Sequence, residues 1–138
     1  MNTRIQMRNA DFARRCIRLY EQFYKAGIIL DFNDIIDRVL LQQPHSFYVE
    51  YSTASAKLHA LERADPETVV KEPLARAMWM EMLVQVLQHM ARHPRKTFAQ
   101  ALTFVITYGR PSRFYISRDT ARRILSPYRF QSLRFVRC

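Results

Sequence analysis

Apolar positions recur at helical spacing along most of the chain. From Asn9 to Gly27, the residues Phe12, Cys16, Leu19, Tyr20, Phe23 and Tyr24 fall on one stripe, with Asn9 as a cap and Gly27 as a stop. A shorter helix follows Asp31, turns Ile35, Ile36, Val39 and Leu40 inward, and closes at Pro44. The period then breaks. Phe47-Tyr48-Val49-Glu50-Tyr51 is aromatic and β-branched, which predicts an extended segment or short strand. Ser52 or Thr53 caps a third helix carrying Ala54, Leu58 and Leu61, and Asp65-Pro66-Glu67 starts another, with Asp at the cap, Pro first and an acid in the first turn. Leu74 to His93 is the most apolar stretch and is apolar on more than one face, so a central position is expected, with Pro73 starting it or kinking it. Thr97 caps the next helix (Phe98, Leu102, Val105, Ile106), which Gly109 ends. Ser117 caps a last one that Pro127 terminates. The tail Tyr128–Cys138 is basic and aromatic without a clear period.

The pattern predicts an all-α protein, a compact helical domain of about six helices spanning 1–138, with short extended aromatic linkers. Only two glycines occur, too few for a hairpin-rich β fold or a glycine-rich phosphate loop. Pro44–Leu58 aligns with Pro111–Leu125 at an offset of 67 residues: Pro, Phe, Tyr, Thr, Ala and Leu coincide, and Val49 matches Ile116. Each segment follows a long helix and a short one and precedes a capped helix. The reading is an internal duplication, with copies near 9–64 and 67–126, each a helix, helix, aromatic linker, helix unit.

Charge separates the copies. The chain carries a formal +10, and residues 110–138 hold eight arginines against the single acid Asp119, so +7 lies there and +3 in residues 1–109. The C-terminal part, 97–138, is therefore basic, and the usual partner of such a surface is a polyanion. Arg118 and Arg122 share a helical face with Arg123 beside them, while Arg110 and Arg113 flank the preceding turn. Guanidinium groups grip phosphate in bidentate fashion and Tyr115 can stack on a base, so the candidate nucleic-acid-binding set is Arg110, Arg113, Tyr115, Ser117, Arg118, Thr120, Arg122 and Arg123. The alternative is a solvated or protein-binding basic face with Phe114 and Tyr115 turned into the core. Arg4, Arg8, Arg14, Arg15 and Arg18 make a second basic set, partly neutralised by Asp11 and Glu21, which also reads as an ordinary exposed helix face.

Ile116-Ser117-Arg118-Asp119-Thr120-Ala121-Arg122-Arg123-Ile124-Leu125 resembles the recognition helix of helix-turn-helix transcription regulators: a small cap, Thr-Ala, arginines, an aliphatic. Thr97-Phe98-Ala99-Gln100-Ala101-Leu102 looks like the helix leading into such a turn. The resemblance covers residues 97–125. It implies that Ser117, Arg118, Thr120, Arg122 and Arg123 approach a DNA major groove and Thr97 the phosphates. The chain departs from that pattern between Tyr108 and Ser117, where an aromatic pair sits in a connection longer than the standard three or four residues.

Other chemistry is sparse. Cys16 lies in a helical pattern and Cys138 is the last residue, so no disulfide framework is implied and a reducing cytoplasm is the expected setting. The N-terminus lacks an apolar signal core, and no run is long and apolar enough for a membrane span. His89 and His93 stand at the i, i+4 spacing of zinc-binding helices, but Met90 occupies the place where a metalloprotease has Glu and no cysteine is near, so no metal is expected. Nothing forms a nucleophile elbow, and no catalytic residue or cofactor is assigned. Asp31 and Asp34 suit a helix first turn, while Asp37 pairs with Arg38 or is solvated. Met78, Met80, Met82 and Met90 with Trp79 read as core, with a homo-oligomer through that helix as the alternative. The expected function is non-catalytic: an accessory or regulatory protein contacting the phosphates of DNA or RNA through a basic C-terminal helix. The alternative is a protein-interaction or oligomerisation module whose basic face docks an acidic protein partner.

Overall fold

The computed structural model describes residues 2–128, in seven helices and a closing 3-10 turn. The helices are α1 (Thr3–Lys25), α2 (Phe32–Leu40), α3 (Tyr51–Arg63), α4 (Pro66–Val69), α5 (Pro73–Arg92), α6 (Phe98–Tyr108) and α7 (Arg118–Leu125). The tail 129–138 lies outside the described residues. Four of the expected caps are in place. Asp31, Asp65, Thr97 and Ser117 each accept a backbone N–H of the first turn, and Thr97 completes a capping box with Gln100. Pro73 starts α5, held by the Glu72 carboxylate on the N–H groups of Leu74 and Ala75. Two starts differ from expectation. Asn2, not Asn9, caps α1, since its side chain takes the Arg4 and Ile5 N–H groups. α3 begins at Tyr51 after Glu50, without a side-chain cap, so Ser52 and Thr53 are already helical. The Phe47–Glu50 segment, expected to be extended or a short strand, has no regular secondary structure and turns at Tyr48, whose φ is 56°; it forms no strand among the described residues.

The helices build two apolar cores rather than one. In the first, α1, α2 and α7 enclose Phe12, Cys16, Ile35, Ile36, Val39 and Leu125; in the second, α3, α5 and α6 enclose Leu58, Met82, Val86, Leu102 and Val105. Chain order and core membership do not coincide. The helix pair α1–α2 is completed by α7, from the far end of the sequence, and the pair α5–α6 is completed by α3. Each aromatic linker carries its chain across from one core to the other. Phe47 leaves α2 and is buried in the second core, whereas Phe114 leaves α6 and is buried in the first, edge-on to Phe12 at 5.4 Å.

The two helix sets bury side chains at comparable positions. Ala54 and Leu58 of α3, and Ala121 and Leu125 of α7, are all fully buried. Ile35, Ile36 and Val39 of α2 answer to Ala101, Leu102 and Val105 of α6, and Phe12 and Cys16 of α1 to Met82 and Val86 of α5. The helices α3 and α7 present only a narrow apolar stripe each, so neither stays folded without the helix pair it caps. The apolar run that predicted a central α5 holds for the second core: Trp79, Met82, Leu83, Val86 and His89 are buried, while Val84 and Leu87 stay exposed.

Candidate nucleic-acid interface and the crossing of the linkers

Where the linkers cross, each is pinned by a carboxylate from the long helix opposite. Asp11, only 2% exposed, accepts the Tyr48 hydroxyl at 2.7 Å, the His45 N–H at 3.1 Å and Arg15 Nε at 2.7 Å. Burial pushes its pKa up, but the hydrogen bonds from Tyr48, Arg15 and His45, with the Arg15 charge, outweigh that and leave it below the ordinary value. The hold is firm enough to keep Tyr48 at φ 56°, a left-handed backbone seldom adopted by a bulky residue. At the second linker Glu81 accepts the Ser112 N–H at 2.7 Å, and the Tyr115 hydroxyl lies 3.4 Å from Ser112 Oγ. His45 and Ser112 each precede their tyrosine by three residues, so both carboxylates hold the linker at the same backbone N–H, while only Asp11 also takes a tyrosine hydroxyl and an arginine. Burial and the neighbouring carboxylate raise both tyrosine pKa values.

Arg110 belongs to this crossing. Its Nε and Nη2 donate to the carbonyls of Pro44 and Gln43 at 2.7 and 2.8 Å, its own carbonyl accepts Gln85 Nε2, and nearby Phe114 N–H donates to Leu40 O. Gly109 sits tight against α6: an added Cβ would meet Val105 O at 2.6 Å. Residues 109–114 thus tie the second linker to the first.

The other candidate residues divide. Arg118 forks onto Asp37, with Nη2 at 2.7 Å from both carboxylate oxygens, and Arg122 reaches Asn33 at 3.0 Å and Asp119 at 3.1 Å. Asp37 therefore serves α7 rather than Arg38, while its side chain stays partly solvated. Both arginines are exposed, and exposed pairs contribute only about 0–1 kcal/mol, so an incoming phosphate competes with them on nearly equal terms. Ser117 Oγ accepts the Thr120 N–H and donates to Thr120 Oγ1, so both residues are spent on the cap, and Arg123 touches only Thr120 at 3.4 Å. Arg113 lies 5.7 Å over the Tyr115 ring and donates to Phe114 O. Arg113 and Arg123 have no carboxylate partner among the described residues.

Sequence reasoning placed Asp11 on a solvated face, although it is buried. Its one legible signal is position: it adjoins Phe12 on the buried stripe and stands one turn before Arg15. Of the second basic set, Arg15 is committed to Asp11 and lies 5.3 Å over Phe114, Arg4 pairs with Glu50 at 3.2 Å, and Arg14 and Arg18 are exposed.

The helix-turn-helix resemblance requires its two helices to pack on each other. Here α6 packs with α5 and α3, and α7 with α1 and α2, so the two belong to different cores. Charge follows the cores. Residues 2–45 and 109–128, which build the first half, hold twelve Lys and Arg against six Asp and Glu, or +6. Residues 46–108 hold seven against six, or +1.

The His89 and His93 rings lie 4.4 Å apart, tilted by 38°, and His89 stacks on Phe104 at 4.1 Å. Burial, then the charges of His93, Lys96 and Arg92, lower the His89 pKa, and its buried Nε2 has no partner. Among the described residues no three His, Cys, Asp or Glu converge to hold a metal ion. Burial raises the Cys16 thiol to about 12, which keeps it protonated and unreactive. No described helix is long and apolar enough to cross a membrane. Compared with protein-family models, with curated proteins and with solved structures, the chain matches none.

Proposed function

We propose that this is a nucleic-acid-binding accessory or regulatory protein without catalytic activity, which contacts phosphates through the half formed by α1, α2 and α7. The observation that carries the reading is the division of charge: two halves on one packing frame hold +6 and +1. Apolar packing does not require that difference, and a polyanion partner accounts for it. Within the half, Arg14, Arg18, Arg113 and Arg123 are among the cations not engaged by carboxylates in the described residues, and Arg118 and Arg122 exchange exposed partners for phosphate at little cost. The matched burial and paired locks also support descent from one duplicated helix, helix, linker, helix unit whose third helices are exchanged.

The test is fluorescence anisotropy of labelled single-stranded DNA, duplex DNA and RNA over a salt series. Affinity should fall steeply with salt, and the slope should shrink by about one for each contacting arginine removed in Arg118→Ala/Arg122→Ala/Arg123→Ala and Arg14→Ala/Arg18→Ala. Absence of binding at low salt sinks the reading.

A second reading has its own observation. The outer face of α6 is uncharged: Thr103 and Thr107 turn their hydroxyls back onto Ala99 O and Thr103 O, and Phe104 and Tyr108 are 40% and 70% exposed. Arg92, Arg95 and Lys96 flank it, and the sequence has no acid between Glu81 and Asp119. Such a face suits an acidic protein partner or a second copy, and replaces the methionine-rich face of α5, which packs into the core. Sedimentation across a concentration series separates this module from a monomeric nucleic-acid binder.

A further inference from the structure

Beside the crossing of the linkers, the first turns of α1 and α5 leave a cleft of about 210 Å³. Tyr48 and Tyr115 line it, one from each linker, together with Met78 and Trp79 of α5. The Tyr48 hydroxyl is held by Asp11 at 2.7 Å, and Tyr115 by Ser112 Oγ at 3.4 Å from its hydroxyl with Arg113 over its ring, so both tyrosine rings have fixed neighbours before any ligand arrives. The lining also brings in Arg8 from α1 and Arg113 from the second linker.

Neither guanidinium has a carboxylate partner among the described residues. Arg8 is half-buried, yet its Nε and Nη2 both donate to the neutral Asn9 Oδ1, at 3.1 and 2.9 Å. Arg113 has a backbone carbonyl and a tyrosine ring. The one carboxylate lining the cleft, Glu50, is held by Arg4. A half-buried cation without a counter-charge is unfavourable, and burial lowers the Arg8 pKa accordingly. The copies differ at this point: α5 has Met78 where α1 has Arg8, and the first linker has Ser46 where the second has Arg113. Equivalent packing positions thus supply apolar atoms from one copy and cations from the other. The cleft is built for a ligand with a flat apolar face and a negative charge.

We propose that the cleft takes one unstacked nucleotide of a single strand, with the base among the fixed aromatic rings and the phosphate on Arg8 and Arg113. The inference rests on the nucleic-acid reading above and names the strand type and the subsite. Two guanidiniums match the two free oxygens of a phosphodiester. Fixed rings accept any base by stacking, so the subsite favours single strands without reading sequence.

Trp79, the only tryptophan, reports on the cleft from its wall. The intact protein is titrated with a single-stranded DNA decamer, a DNA hairpin duplex, adenosine monophosphate and N-acetylphenylalanine, following Trp79 emission and anisotropy together. The single strand should change Trp79 emission, and Arg8→Ala should weaken its binding about tenfold and abolish the change, as loss of one charged hydrogen-bonding group does. Arg113→Ala should act alike, and each variant's melting curve confirms its fold. By contrast, Arg122→Ala/Arg123→Ala should weaken binding without removing the emission change. Strand binding that leaves Trp79 emission unaltered, or that Arg8→Ala and Arg113→Ala do not affect, overturns the subsite while the electrostatic reading stands. If no strand binds, the electrostatic reading falls with the strand proposal, even where the mononucleotide alone changes the emission. A response to N-acetylphenylalanine and not to the nucleotide assigns the cleft to an aromatic carboxylate and overturns the proposal.

Discussion

The half built by α1, α2 and α7 and the half built by α3, α5 and α6 place apolar side chains at equivalent positions, yet present different surfaces. On the outer face of α2, Asn33 and Asp37 receive Arg122 and Arg118 of α7. The equivalent face of α6 has Ala99 and Thr103, with the exposed ring of Phe104 where α2 has Arg38. The third helices are thus fastened differently. Polar forks supplement the apolar contact of α7, whereas α3 relies on Ala54, Leu58 and Leu61, with His59 against Phe98 at 4.4 Å. One packing frame therefore tolerates two surface chemistries, because a short amphipathic helix is fixed by its buried stripe and its other residues are free to serve binding.

Several changes test how far the equivalence of the halves extends. The largest effects belong to the crossing phenylalanines. Phe114→Ala and Phe47→Ala should each lower unfolding stability by about 3–5 kcal/mol in urea denaturation, since each vacates a closed core. A loss below about 1 kcal/mol in either would break the equivalence. Next come the carboxylate locks, where the halves should differ. Asp11→Ala removes the buried acceptor of three hydrogen bonds and leaves the part-buried Arg15 without its counter-charge, and should cost about 3 kcal/mol, whereas Glu81→Ala, at a half-exposed lock, should cost about 1 kcal/mol.

Acid separates the locks further. The folded-state pKa of Asp11 is depressed, so its contribution is complete above the ordinary carboxylate range and is lost as pH falls through the folded value. Melting temperature against pH should therefore drop on the acid side in wild type and less so in Asp11→Asn. Equal acid limbs would show that Asp11 does not carry the dependence. The smallest effect is at the α7 fork. A double-mutant cycle on Arg118 and Asp37 should give a coupling of about 0.5 kcal/mol that fades with salt.

Much of the local structure was readable in the residues. The caps at Asp31, Asp65, Thr97 and Ser117, the proline start of α5 and the buried stripes follow from interactions within a few residues, so no distant part of the chain can move them far. The start of α1 was misplaced because Asn9 is as good a cap as Asn2, and only the continued turn of helix before it decides between them. The candidate site was readable in composition alone. The arginines of α7 were visible as a charged face, but their forks onto Asp37 and Asn33 join residues more than 80 positions apart, and no local pattern encodes such a pairing.

By itself, the sequence determined that this protein is helical, where most helices start, and that its positive charge is concentrated. Those properties depend on backbone propensity, short-range hydrogen bonds and composition. The tertiary structure alone decided that α7 packs on α1 and α2, and α3 on α5 and α6, so that the arginines of α7 join the N-terminal helices in one basic half. It also buried Asp11 and left Arg8 facing a cleft. The reason is physical: either core would accept a short helix with an Ala-and-Leu stripe, and the choice between them is made by linkers whose course depends on long-range locks.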